Sequence, residues 1–149
     1  RYDNIDCSEL ARKKVVSVRA LGSREEVFEH MTVGENLMLP SLEKISFWDY
    51  IRSSRNIRKM ILEENHNLKD VKAEGVGINE RIQMTLERWY IFNPMVLILF
   101  EPFALCDVNG VDIVKKYVKK FSNNGTTVII VSTREEYIED ISDQIIHIG

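Results

Sequence analysis

The sequence predicts an α/β fold built on a parallel sheet, and three observations carry that prediction. Val96-Leu97-Ile98-Leu99-Phe100 is a continuous apolar run, the signature of a parallel strand buried on both faces. Thr127-Val128-Ile129-Ile130-Val131 is a second such run. Between them Val111 to Phe121 is an amphipathic helix, with Val111, Val114, Tyr117, Val118 and Phe121 along one stripe. Asn123-Asn124-Gly125 stops it. Ser132-Thr133-Arg134-Glu135 has capping-box spacing and predicts a helix to about Ile141, and Gln144 to Ile148 predicts a last short strand. The β-α-β-α-β order over 96–148 implies right-handed crossovers in one sheet.

Ahead of this core the elements are more mixed. Ser8 to Lys14 predicts a short helix capped by Ser8, and Val15 to Val18 a β-branched strand. Gly22 to His30 is polar and reads as a loop. Thr32-Val33-Gly34-Glu35 is a capping box that opens a helix through Leu39, ended by Pro40. Residues 41–74 are polar and helical in period, with Phe47, Trp48, Ile51, Ile57, Met60 and Ile61 on apolar faces. Glu80 to Phe92 predicts another helix, terminated by Asn93-Pro94. The expected organisation is a single domain over 1–149, with an inserted helical subdomain at 41–93 and an α/β part at 94–149.

Composition narrows the function. The chain has 149 residues, 44% apolar and 29% charged, which suits one globular domain rather than a disordered one. Its net charge is −3 and it carries no basic arm, so nucleic-acid binding is not expected. No apolar run reaches the length of a membrane span. Cys7 and Cys106 are too few for a disulfide framework, which points to a reducing, cytoplasmic compartment. His30, His66 and His147 are scattered without ligand spacing, so no metal site is expected. Arg52, Arg55, Arg58 and Lys59 share a helical face, a solvated surface or a docking one.

In an open parallel sheet, ligands sit beyond the carboxyl ends of the strands. Glu101-Pro102 and Ser132-Thr133 occupy those places. Glu101 reads either as a group that polarises water or as a turn cap.

Pro94 to Phe103 resembles the Walker B region of ATP-binding cassette (ABC) transporter ATPases, written P-x-x-L-(L/I)-L-D-E-P-T. Ala104 to Asp107 is similar to the D-loop, and Val128 to Glu135 with Ser142 to Ile146 to the switch region and final strand. The signature L-S-G-G-Q falls on Val76 to Glu80, and its A-R-x-L continuation on Glu87 to Tyr90. Met31 to Leu37 is similar to the segment after the Q-loop, most like the carbohydrate-importer branch. The resemblance implies a partial P-loop NTPase-like domain. It also implies work with Mg-ATP, a partner ATPase subunit and a membrane permease.

The departures matter as much. No glycine precedes a lysine, so the phosphate-binding G-x-x-x-x-G-K-(S/T) is absent from these residues; in the family it lies upstream of the matched region. Phe100 stands where the Walker B Asp would hold Mg²⁺, and an aromatic ring offers no oxygen ligand. Gly77, Ile78, Asn79 and Glu80 replace the later signature residues, and Thr133 replaces the switch His. Ser23 is the nearest position to the Q-loop Gln. Glu101 and Asp107 remain at the catalytic-glutamate and D-loop positions. The ring of Phe100 is expected to fill the space of the metal and phosphate. These losses imply a degenerate, non-hydrolysing module that acts through protein contacts as a regulatory or scaffolding domain, at the inner membrane face or fused to another domain, with no cofactor of its own. The alternative is an ATPase fragment of a carbohydrate importer with Walker A outside this chain, for which ATP and Mg²⁺ are the cofactors.

Overall fold

The computed structural model describes residues 13–39 and 72–148. The expectations for Ser8 to Lys14, for 41–71 and for Trp48 and the arginine-rich face therefore lie largely or wholly outside the described residues. Three strands, β1 (Val15–Val18), β2 (Val96–Phe100) and β3 (Thr127–Val131), form one parallel sheet in the order β1-β2-β3. Val16 and Val18 stand beside Leu97 and Leu99, which stand beside Val128 and Ile130. Helix α1 (Val33–Met38) follows β1, α2 (Ile78–Phe92) precedes β2, and α3 (Val108–Asn123) joins β2 to β3.

One face of the sheet makes the core. Val16, Val18, Leu97 and Leu99 are buried with Ile82 and Leu86 of α2 and Val114, Val118 and Phe121 of α3. The stripe read from the sequence of α3 is the stripe that is buried. α3 begins earlier than the apolar pattern implies, because Asp107 caps it. α2 is buried on several sides: Ile82 and Leu86 meet the sheet, Met84 belongs to a second cluster with Val27, Val33, Leu37, Ala73 and Val76, and Glu87 meets α3. α2 ends at Asn93, in the left-handed conformation at φ 55°, immediately before Pro94.

Polar ties hold these layers together. The Thr32–Glu35 capping box is formed in both directions, with Thr32 N–H donating to Glu35 Oε2 at 2.8 Å. Arg88, only 4% exposed, donates to the backbone oxygens of Asn36 (2.8 Å) and Glu26 (2.8 Å) and to Asn36 Oδ1 (3.1 Å). Asn36, fully buried, also bonds Phe28 N–H and carbonyl at 2.9 Å each. Glu87 accepts from the Tyr117 hydroxyl and from Lys120 Nζ, whose ammonium lies 4.2 Å from the Tyr90 ring centroid.

Three expectations are corrected. Residues 132–141 form a single 3-10 turn, Glu135–Tyr137, instead of a helix. The Ser132 hydroxyl is committed elsewhere, accepting from Arg134 N–H at 3.1 Å and donating to Glu101, so the second capping box does not form. Residues 144–148 form no strand, and Ile146 and Ile148 are 73% and 92% exposed. The other face of the sheet, carrying Val15, Val96, Ile98, Phe100, Ile129 and Val131, contributes nothing to either described core cluster, and among the described residues the β2 side chains there are half-buried rather than buried.

The Arg88 tie gives a measurable expectation. Arg88→Ala takes the arginine donors from the Asn36 and Glu26 backbone oxygens and leaves the Asn36 carboxamide oxygen with Phe28 N–H alone, and each buried group left without a partner costs ~1–3 kcal/mol. Urea unfolding of that variant is expected to show a loss of about 3 kcal/mol or more. Arg88→Lys, which reaches fewer of the three acceptors, is expected to fall between the variant and the parent.

Candidate functional site

The carboxyl ends of β2 and β3 and the amino end of α2 gather the sequence's candidates into two clusters. The first is at the strand exits. Glu101 leaves β2 with φ 44°, a left-handed conformation that a non-glycine residue adopts at a cost. Its N–H donates to Val131 O at 2.7 Å. Its carboxylate turns toward the β3 exit, where Oε1 accepts from Thr133 N–H at 2.8 Å and Oε2 from the Ser132 hydroxyl at 3.3 Å. Both oxygens thus brace the neighbouring loop. Thr133 itself is exposed, and its backbone rather than its side chain makes this contact.

Phe100 ends β2 beside Val131, on the sheet face that no described element covers, and is only half-buried. Its ring belongs to neither described core cluster.

The second cluster joins the start of α2 to the start of α3. Asp107 caps α3: Oδ1 accepts from Gly110 N–H at 2.7 Å, and Oδ2 accepts from Asn79 Nδ2 at 3.2 Å. The Gly110 amide, then Asn79, hold the Asp107 carboxyl below the usual aspartate range. Gly110 is tight against this junction, since a Cβ there would lie 2.9 Å from Asn79 Oδ1. α2 starts at Ile78, two residues before the expected Glu80, with Gly77 as N-cap and no side-chain cap. Ile78 is 44% exposed. Glu80 sits in the first turn, with its carboxylate over Gly77. A negative side chain there satisfies the positive end of the helix dipole and opposes a second anion.

Two other candidates take structural places. Burial, and then the neighbouring Asp107 charge, push the Cys106 thiol up to about 11, which leaves little thiolate at neutral pH. Ser23 is half-buried and its hydroxyl has no partner among the described residues. Among the described residues no three His, Cys, Asp or Glu side chains gather as a metal site.

The same arrangement of strands and helices occurs in solved ABC domains. A nucleotide-free ATP-binding cassette from an ABC transporter superposes with a TM-score of 0.70 over 95% of this chain and 60% of that one, at 19% identity. CbiO1 from Clostridium perfringens, part of the ABC transporter complex cbiONQ, gives 0.65 over 85% of this chain and 51% of its own, at 20% identity. In sequence, the ribose import ATP-binding protein RbsA of Geobacillus kaustophilus is 27% identical over 121 residues, 77% of this chain and 24% of that protein. The chain has the fold of an ABC ATP-binding domain and is similar in sequence to carbohydrate-import ATP-binding proteins. The xylose import protein XylG of Escherichia coli K12 is 23% identical across 98% of the domain, which spans 30% of that protein. The chain thus covers about a quarter to a third of the length of these curated relatives. No protein-family model matches it.

Sequence reasoning missed two ties. Ser132, read as a helix cap, is a bond partner of Glu101, and Asn36 with Arg88, inside segments already singled out but given no role, is a buried tie. A buried Arg amid apolar neighbours was the available signal, since Arg is almost never buried without partners.

The Asp107 carboxyl, lowered in the folded state, contributes stability that is present above its unfolded value near pH ~3.9 and is lost as pH falls through the lower folded value. Asp107→Ala is expected to be less stable than the parent at pH 7, with the gap narrowing as the pH is brought below ~4. Urea midpoints at pH 7, 5 and 3 measure it. An equal gap at all three would assign the contact no charge.

Proposed function

We propose that this ABC domain does not hydrolyse ATP with its own residues and works through protein contacts, as a regulatory or scaffolding module. The observation that carries this reading is the use made of Glu101. A carboxylate at the catalytic-glutamate position is occupied on both oxygens by Ser132 and Thr133. The rest of the site supports it. Phe100 offers Mg²⁺ no oxygen at the position beside it. Glu80 fills the amino end of α2 at the signature position, where backbone amides would otherwise face an anion. Thr133 has no imidazole at the switch position. These residues do not fit Mg-ATP, and no catalytic step is assigned to them.

In this reading the domain at 1–149 divides into a helical part at 41–93 and an α/β part at 94–149, with α2 packed against both α1 and the sheet core. Its partners are proteins: another ABC ATPase subunit, a permease or a fused domain. No described helix is long and apolar enough to cross a membrane. A place in the cytoplasm against the membrane face belongs to the same proposal.

A second reading has its own support. Glu101 and Asp107 are kept, and the relatives named above are ribose and xylose import proteins, each far longer than this chain. In that reading the chain is part of the ATPase of a carbohydrate importer, and the phosphate loop lies outside these residues.

Magnesium separates the two. Titration calorimetry of ATP into the polypeptide as its reading frame encodes it, with and without Mg²⁺, is the experiment. The non-hydrolysing reading expects the same weak affinity in both arms, near ~1 mM or worse, and no phosphate release. A Kd tighter than ~10 μM (about −7 kcal/mol) that depends on Mg²⁺, with turnover, would establish the importer reading.

A further inference from the structure

α2 and α3 share a charged cluster where they cross. Glu87 of α2 is a carboxylate at 6% exposure. It accepts from the Tyr117 hydroxyl and from Lys120 Nζ, which lies 3.1 Å from Oε2 and 3.4 Å from Oε1. The Lys120 ammonium also stands 4.2 Å from the centroid of the Tyr90 ring and 5.0 Å from that of Tyr117. Tyr90 in turn meets Phe121 edge-on, with centroids 5.5 Å apart. Glu87 and Tyr90 from one helix and Tyr117 and Lys120 from the other thus build a single ion pair with aromatic walls. The A-R-x-L pattern has alanine where Glu87 stands and leucine where Tyr90 stands, so the resemblance does not account for this cluster.

The two ends of the helix pair are held differently. Only Asn93 to Met95 separate α2 from β2, and only Asn124 to Thr126 separate α3 from β3, so the carboxyl-terminal ends are tethered to the sheet. Asn124 bonds Asn93 across them. The amino-terminal ends follow turns instead: α2 starts after the 3-10 turn Ala73–Gly75, and α3 after the turn that leaves β2 at Glu101. There the pair meets through the Asn79–Asp107 bond at 3.2 Å. Glu87 is two turns along α2 from Asn79, about 12 Å at ~1.5 Å per residue. A contact that fixes the angle between the helices at Glu87 therefore also fixes how their amino ends meet.

Apolar burial is non-directional, so Ile82, Leu86, Val114 and Val118 resist separation of the helices more than a small rotation. Hydrogen bonds require both distance and angle. A buried carboxylate turned away from its partners is costly, so rotation is penalised most at Glu87. Desolvation largely offsets the attraction within a buried ion pair, and fixing one arrangement is its best-attested use. We propose that the Glu87–Tyr117–Lys120 cluster is an orientation lock, which admits one disposition of α2 on α3 and so positions Asn79 against Asp107. It serves a unique arrangement rather than net stability, whether or not the domain binds ATP.

The test removes the whole cluster at once, so that no partner is left buried and unpaired. Glu87→Leu, Tyr117→Phe and Lys120→Met are combined in the polypeptide as its reading frame encodes it. The urea midpoint is expected to be no lower than the parent's. The Gly110 amide, which bonds Asp107, is expected to exchange at least ~10-fold faster, and the Asn79 side-chain amide resonances to double, while the Leu97 and Leu99 amides keep their parent rates. Glu87→Gln, which keeps an acceptor for Tyr117, is expected to fall between parent and triple variant at Gly110. A single Asn79 signal with parent-like Gly110 exchange in the triple variant would overturn the proposal. Failure of that variant to fold, or a lower midpoint with Gly110, Leu97 and Leu99 all faster together, would overturn it too, by making the cluster an ordinary stabilising contact.

Discussion

Everything described in this domain hangs on β2. It is the only described strand paired on both sides, and Leu97 and Leu99, at 0% and 1% exposure, are where the helical layer meets the sheet. At ~25 cal/mol per Å² of buried apolar surface, this one-sided core is the main source of cohesion. α3 lies over it because its apolar stripe is continuous from Val111 to Phe121. α2 lies beside α3 because Ile82 and Leu86 reach the same cluster. The β2 exit then decides where the candidate chemistry can stand. Glu101 turns sharply there and is aimed across at the β3 exit, and Phe103 just beyond is fully buried. The strand that builds the core is therefore also the strand that fixes the site.

The local ties are few and each joins segments far apart in the chain. Arg88 binds the loop after β1 and the carbonyl of Asn36 to the middle of α2. Asn79 and Asp107 bind the start of α2 to the start of α3. Asn124 donates to Asn93 at 2.9 Å, closing the other ends of the same two helices. The Thr126 hydroxyl holds Pro94 O at 2.8 Å just before β2 and β3 run side by side. A helix pair clamped at both ends positions its termini closely, and those termini are the candidate signature and D-loop positions.

Legibility in the sequence followed the range of the forces. β1, β2, β3, the α3 stripe and the Thr32–Glu35 box were readable because each rests on residues a few positions apart. α2 was readable as a helix but not as a buried one, since its neighbours α1 and α3 come from distant segments. The 132–141 helix failed because Ser132 has a tertiary partner in Glu101, an interaction that spacing cannot reveal. The 144–148 strand failed because a strand exists only with a partner, and propensity says nothing of whether one is present. Of the site, the positions of Glu101 and Asp107 were legible, and their hydrogen-bond partners were not.

What the site is for depends on whether Glu101 is held as a brace. Replacing a carboxylate kept for catalysis tends to stabilise a fold, because active sites hold strained or unpaired groups at a cost. Replacing one that bonds its neighbours does the opposite. Urea unfolding of Glu101→Ala and Glu101→Gln reads the sign directly. The brace predicts a loss of ~0.5–1.5 kcal/mol for alanine, which takes the acceptor from Thr133 N–H and the Ser132 hydroxyl, and a smaller loss for glutamine, which keeps one oxygen. A gain in stability for both variants would contradict it and return Glu101 to chemistry.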